Sequence, residues 1–374
     1  MSLKVNGFRP HAPSTKLATP TSTSSSTIQI SAQTLTTCQP TKLFNYHHET
    51  SITSLDFDDS GQYLISSGVD KSIQLYDCHK GVHYKDIQSQ KYGAHSARFT
   101  HDGLNCLYAS TPDASATSEG KEDDTIRYLS LSSNQYIRYF KGHKAQVSNI
   151  EVNPAHNNFC SSSYDGTVKF WDLKSSSATG SITVGQNSVC GFDPQGIVVA
   201  VGRYPLGESQ SGTLGLYDLK TFDKGPFAEV AISCLQNQLW NKLEFSNNGK
   251  LILISTDSRE HYILDAFSGK VLAIVRLSYR NDPQWMSTEY PYSGCCSFTP
   301  CGKFLLVGSP KSIIHIFDVS DLRTDVERPV ILSRSNDILK TRQLPKIILF
   351  NPKLFVFATA DTTVKLWQPF ENQT

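Results

Sequence analysis

The chain has 374 residues, of which 39% are hydrophobic and 18% charged, with a formal net charge of +1. That composition supports a sizeable core and excludes a largely disordered chain, and the balanced charge offers no field for generalised binding to nucleic acid or to an anionic membrane. Nine cysteines spread from Cys38 to Cys301 do not form the framework of a small secreted domain, and no window approaches the roughly 18 continuous apolar residues of a membrane span, so a soluble intracellular protein without a signal sequence is expected.

Residues 1–41 read as a mobile tail, because Ser and Thr dominate from Ser14 to Thr37 and large apolar groups are too few to offset the entropy of ordering. From residue 42 to 370 one pattern recurs: an alternating apolar strand, a turn with Gly, a strand of small apolar residues, a turn often carrying Asp, and an alternating strand ending aromatic-Asp. The first copy runs Ile52–Phe57, Gly61, Tyr63–Gly68, Asp70 and Ile73–Asp77, with Tyr76 where a Trp is usual. In the second, Ala97–Phe99, Gly103 and Leu107 are separated from Asp124, Ile126 and Tyr128–Leu129 by a polar insertion at 111–123, read as a protruding loop. The third is the clearest: Gly142-His143, Val147 to Pro154, Phe159–Ser163, Asp165-Gly166 and Val168 to Asp172. Weaker copies follow, ending at Asp218, Asp265, Asp318 and Trp367. Each is one four-stranded blade, and seven copies predict an all-β, seven-bladed propeller of the WD-repeat class. Its last edge needs a partner strand, and Lys42–Tyr46 is expected to close the ring as the outer strand of the seventh blade.

His143, Asp165 and Trp171, with Ser161 or Ser163 between them, invite a catalytic-triad reading, but in a blade of this pattern they form a buried structural network. A zinc site at Cys295, Cys296 and Cys301 is not expected, since adjacent strand residues point to opposite faces and no CxxC or second ligand pair is present. No phosphate-cradling glycine loop, nucleophile elbow or repeated acidic placement at the inner strand ends is read. The chain is therefore expected to be no enzyme and to need no cofactor. Arg127, Arg138, Lys141 and Lys144 cluster in sequence around Tyr136 and Tyr139 and are candidate contacts for a phosphorylated peptide, against the plainer reading of a solvated strand edge.

Several runs are more specific than the repeat itself: Ile73–Cys78, Lys91–Gly93, Asp124–Leu131 (DTIRYLSL), Tyr136–His143, Phe222–Ala228 (FDKGPFA) and Phe245–Thr256. Over about residues 42–368 the chain resembles the WD-repeat subunit shared, in fungi, by COMPASS, the Set1-type histone H3 lysine-4 methyltransferase complex, and by the cleavage and polyadenylation factor. The resemblance implies a non-catalytic nuclear scaffold. It would bind a segment near the N-terminus of the methyltransferase, and a separate peptide would join it to the 3′-end processing and phosphatase machinery. Association with the phosphorylated tail of RNA polymerase II is also implied, with no direct nucleic-acid binding and no membrane. The sequence departs from the family pattern in its Ser/Thr tail, the insertion at 111–123, and the stretches 279–290 and 321–344. A generic adaptor such as a ubiquitin-ligase substrate receptor is the competing binding module, and a propeller enzyme with a channel site is the competing catalyst.

Overall fold

The computed structural model describes residues 2–4, 27–111, 124–205, 209–236, 238–279, 292–323 and 328–370. Among them, seven sheets follow one another along the chain as blades, antiparallel save for one added strand in the fifth. Each blade opens with its innermost strand, and the seventh takes its outer strand from the N-terminal part of the chain. Blade 1 comprises Ile52–Phe57, Tyr63–Gly68, Ser72–Asp77 and Val82–Gln88, and blade 3 comprises Val147–Val152, Asn158–Ser163, Thr167–Asp172 and Ala178–Thr183. The burial pattern explains this arrangement: the first three strands of blade 1 are almost wholly buried, whereas its outer strand alternates exposed and half-buried residues. Strands packed on both faces lie inside, and strands with one wet face lie at the rim. The core is accordingly a ring of apolar layers between blades, such as Leu107, Ile126 and Tyr128 of blade 2 against Val147, Ile150 and Trp171 of blade 3.

The ring closes as the sequence implied, with an earlier boundary. Cys38–Phe44 pairs antiparallel with Val364–Pro369, from Cys38 opposite Pro369 to Phe44 opposite Val364. The expected mobile tail is thus ordered in its last part. A short helix, Ala32–Thr36, is started by a capping box between Ser31 and Thr34. It buries Ile30, Leu35 and Cys38 against Phe304, Leu306, Ile316 and Trp367, across blades 6 and 7. Those few apolar side chains, dispersed among Ser and Thr, are enough to order residues 28–41 because a preformed apolar groove receives them. Ser2–Lys4 pairs with Thr27–Gln29, and the rest of the tail lies outside the described residues, as do 112–123 of the polar insertion and 280–290 of the next departure.

The segment 321–344 is not a simple loop. Val330–Leu332 adds to blade 5 as a fifth strand, parallel to Val271–Arg276, and the chain then supplies Asp337–Lys340 as the outer strand of blade 6. Neighbouring blades are also tied by side chains. Asn351 Nδ2 donates to the Gly61 carbonyl at 2.7 Å and Asn153 Nδ2 to that of Gly196 at 2.9 Å. Both glycines hold positive φ, 71° and 69°, and a Cβ at either would collide with the Asn side chain, so each tie requires glycine.

Candidate functional site

His143, Asp165 and Trp171 meet in blade 3 as a buried structural network. His143 Nδ1 lies 2.9 Å from Asp165 Oδ2, and its Nε2 lies 2.8 Å from Ser161 Oγ, which also accepts from Trp171 Nε1 at 2.8 Å. Asp165 further accepts from the Thr167 amide and hydroxyl at 2.9 and 2.6 Å and from the Lys144 amide at 2.9 Å. Burial works to raise the Asp165 pKa, but hydrogen bonds from Thr167, the Lys144 amide and His143 outweigh it and hold the carboxyl at about 2. Ser161 is committed to two partners and buried, so it cannot present a nucleophile to a substrate.

Blade 1 repeats the network around Asp70 and Tyr76, completed by His47 and Ser66. His47 Nδ1 is 3.0 Å from Asp70, His47 Nε2 is 2.7 Å from Ser66 Oγ, and Ser66 meets the Tyr76 hydroxyl at 3.2 Å. His47 was hidden because no glycine precedes it and its separation from the Asp is 23 residues rather than the 22 of blade 3. In blade 7 the turn Asp361 is paired with Lys346 Nζ at 3.2 Å, and Trp367 Nε1 donates to Thr359 Oγ1 at 2.9 Å.

A second arrangement surrounds the central channel, where a cavity of about 530 Å³ is lined by Asp56, Arg98, Glu151, Lys242 and Glu244 among others. Asp56, Arg98, Glu151 and Glu244 each stand next to last in an innermost strand, as in Leu55-Asp56-Phe57 and Leu243-Glu244-Phe245, and Lys242 lies two residues before Glu244. The sequence reading found no such repeat; the structure shows one, and shows its use. An innermost strand has no neighbour on its channel side, and acceptors from the preceding blade cap its free amides. Asp56 takes the Phe99 amide at 2.7 Å, Glu244 the Phe298 amide at 3.1 Å, and Ser54 the Ala97 amide at 2.9 Å. Glu151 is paired instead with Arg98 at 3.1 Å, and Lys242 with Glu244 at 2.6 Å. These carboxylates are occupied by the fold.

The basic cluster divides. Arg127 is only 2% exposed, stacked 3.7 Å from the Tyr92 ring centroid and 5.9 Å from that of Tyr139, and it donates to Ser110 Oγ. It is a structural cation and not a surface contact. Arg138 sits opposite Tyr128, one residue out of step with the Arg127–Tyr139 pair and so on the other face of the sheet. Lys141 and Lys144 remain exposed in the loop between blades 2 and 3, beside the exposed Tyr136, Ile137 and Tyr139 of the outer strand Gln135–Phe140.

The cysteines correct one expectation. Cys295 precedes the strand Cys296–Phe298, just after Gly294 with φ of 81°, so the alternation of strand side chains does not apply to it. The two thiols come within 3.8 Å of each other, and His261 joins them, while Cys301 stands apart beside Thr299.

The family description "WD domain, G-beta repeat" matches residues 38–77 and 134–172, the two stretches that hold the complete His–Asp networks. The COMPASS component SWD2 of Saccharomyces cerevisiae is 38% identical over 84% of this chain and 90% of its own length. The Set1 complex component swd2 of Schizosaccharomyces pombe is 33% identical over 91% of this chain and 99% of its own. WD repeat-containing protein 82 of Drosophila melanogaster is 33% identical over 86% and 92%. With such identity over most of its length, this chain belongs to the family of WD-repeat propellers that includes these three proteins.

Proposed function

We propose that this protein is a non-catalytic scaffold subunit of a Set1-type histone H3 lysine-4 methyltransferase complex, working in the nucleus. The observation that carries this reading is the similarity, over nearly the full length of each chain, to two proteins named as components of COMPASS and of the Set1 complex. The geometry is consistent with it. The polar groups that resemble catalytic sets are engaged in holding strands and blades together, whereas exposed Tyr136, Ile137 and Tyr139 line an outer strand available to a partner peptide. The proposed methyltransferase contact is a segment near that enzyme's N-terminus.

We further infer from the DTIRYLSL and FDKGPFA runs a second membership, in the cleavage and polyadenylation factor with its phosphatase module. Contact with the phosphorylated polymerase tail would fall to Lys141 and Lys144, whose side chains are exposed. Titrating the full-length chain with a peptide from the methyltransferase N-terminal region tests the first part: saturable 1:1 binding supports it, and its absence in the presence of a folded propeller counts against it. Phosphorylated and unphosphorylated tail peptides test the last part, because a direct phosphate contact gives a preference that Lys141→Ala and Lys144→Ala reduce.

A further inference from the structure

The group around Cys295 lies apart from the blade networks and the channel, between blades 5 and 6, and it is organised for chemistry at sulfur. Cys295, Cys296 and His261 are fully buried, with their ligand-type atoms all within 4.8 Å of one another. A 3.8 Å separation of the sulfurs would suit two thiolates on a tetrahedral metal, whose bonds of about 2.3 Å place them about that far apart. The imidazole argues against that use. His261 Nδ1 accepts a hydrogen bond from the Thr256 amide at 3.2 Å, so the neutral ring carries its proton on Nε2 and has no lone pair there to give a metal. Among the described residues neither that Nε2 nor Ser255 Oγ has a hydrogen-bond partner. Both are buried donors in need of an acceptor, and the paired sulfurs, within 4.8 Å of a His261 ring nitrogen, are the groups placed to become one when Cys295 is a thiolate. The Cys296 thiol, then His261 and Ser255, hold Cys295 well below the usual thiol range against the effect of burial, whereas burial pushes Cys296 up.

A second close pair in the same molecule lacks this apparatus. Cys160 and Cys190 have sulfurs 3.2 Å apart, but Cys190 donates to Asn149 Oδ1 at 3.1 Å and burial raises Cys160 well above the ordinary range. They are packed thiols.

We propose that Cys295 and Cys296 form an oxidisable pair, a modification site for small hydroperoxides, in which His261 and Ser255 stabilise the attacking thiolate of Cys295. The Cys295 thiolate attacks one peroxide oxygen; the O–O bond breaks, the leaving hydroxide or alkoxide takes the electron pair and a proton from solvent, and Cys295 becomes a sulfenic acid. Cys296 then attacks that sulfur, its proton leaves with the departing hydroxide as water, and a disulfide joins the adjacent residues. Sulfur is oxidised and the peroxide reduced, so that two thiols and one hydroperoxide give a disulfide, an alcohol or water, and water. Burial restricts the oxidant to one of nearly water size. Joining Cα atoms about 3.8 Å apart is closer than ordinary disulfides allow, which makes the product strained and readily reduced.

The test uses the reduced full-length protein, treated with hydrogen peroxide and followed by peptide mass spectrometry after acid quenching. The peptide containing both residues should lose two hydrogens about tenfold or more faster than Cys160 or Cys190 is oxidised, and recover them with a dithiol reductant. Cys296→Ser should instead leave a sulfenic acid on Cys295 that a dimedone-type probe captures, and His261→Phe should slow the step, with Cys160→Ser as a control that does not. Oxidation of Cys295 at the same rate as Cys160 in the unaltered chain overturns the proposal without recourse to any variant. So does a stoichiometric metal ion in the purified protein that protects both thiols.

Discussion

Replacing Asp165 by Ala separates a structural network from a surface feature a few residues away. The carboxylate accepts four hydrogen bonds: the Lys144 and Thr167 amides, the Thr167 hydroxyl and His143 Nδ1. Water can reach the exposed Lys144 backbone after truncation, but the His143 ring is buried and its Nδ1 keeps only the Thr167 hydroxyl, 3.5 Å away. One weakened buried hydrogen bond and the loss of charge-assisted bonds in the turn together cost about 2–4 kcal/mol. The acidity of the group gives a consistent figure, since a carboxyl held at about 2 against an ordinary 3.8 corresponds to roughly 2 kcal/mol. For a domain of this size that is a fall in Tm of about 3–6 °C. Lys141→Ala, at an exposed position in the loop that leads into the same network, should change stability by no more than about 0.5 kcal/mol. The pH dependence adds a sharper criterion. Because the folded-state pKa of Asp165 is depressed, its contribution is complete above the unfolded value near 3.8 and is lost as pH falls through about 2. The stability gap between wild type and Asp165→Ala should therefore be full at pH 7 and narrow between about pH 4 and 2. Equal thermal losses in the Asp165 and Lys141 variants, or a gap that does not change with acid, would refute the reasoning.

Asp56 should behave in the opposite sense: chiefly burial lifts its pKa to about 7, so the folded state binds the extra proton and stability falls as pH rises from about 4 to 7. Denaturant titrations across that range should show a flatter profile for Asp56→Asn, and an unchanged slope would contradict the assignment. Trp171→Phe keeps the ring stacked on Phe159 but removes the bond to Ser161, and Trp367→Phe does the same to Thr359; each should cost about 1 kcal/mol, and the two should add in the double variant. Leu35→Ala, from a residue fully buried across blades 6 and 7, should cost about 2–3 kcal/mol in thermal or chemical unfolding, which a mobile tail would not.

Blade order, ring closure and the network of blade 3 were legible because they depend on local pattern: small residues in the second strand, Asp in the turn and Trp-Asp at the end of the third strand. What was missed depends on neighbours distant in sequence. His47 occupies its place through a turn one residue longer than that of blade 3, a difference that spacing alone does not forgive. The channel carboxylates make sense only once they are seen against groups of a neighbouring blade, such as Asp56 against the Phe99 amide and Glu151 against Arg98. Arg127 looked like a surface cation beside Arg138, yet the pleat sends them to opposite faces and Tyr92, arriving from another turn, covers the first. Cys295 was judged as a strand residue, and the positive φ of Gly294 removes it from that alternation.

The measurement that bears most directly on the central claim is affinity purification of the tagged full-length protein from nuclear extract, with mass spectrometry of the proteins that co-elute. The account predicts stoichiometric recovery of a Set1-type methyltransferase together with subunits of the 3′-end processing machinery. Recovery of a cullin-type ubiquitin ligase with neither of those assemblies would leave the propeller intact and contradict the proposed function.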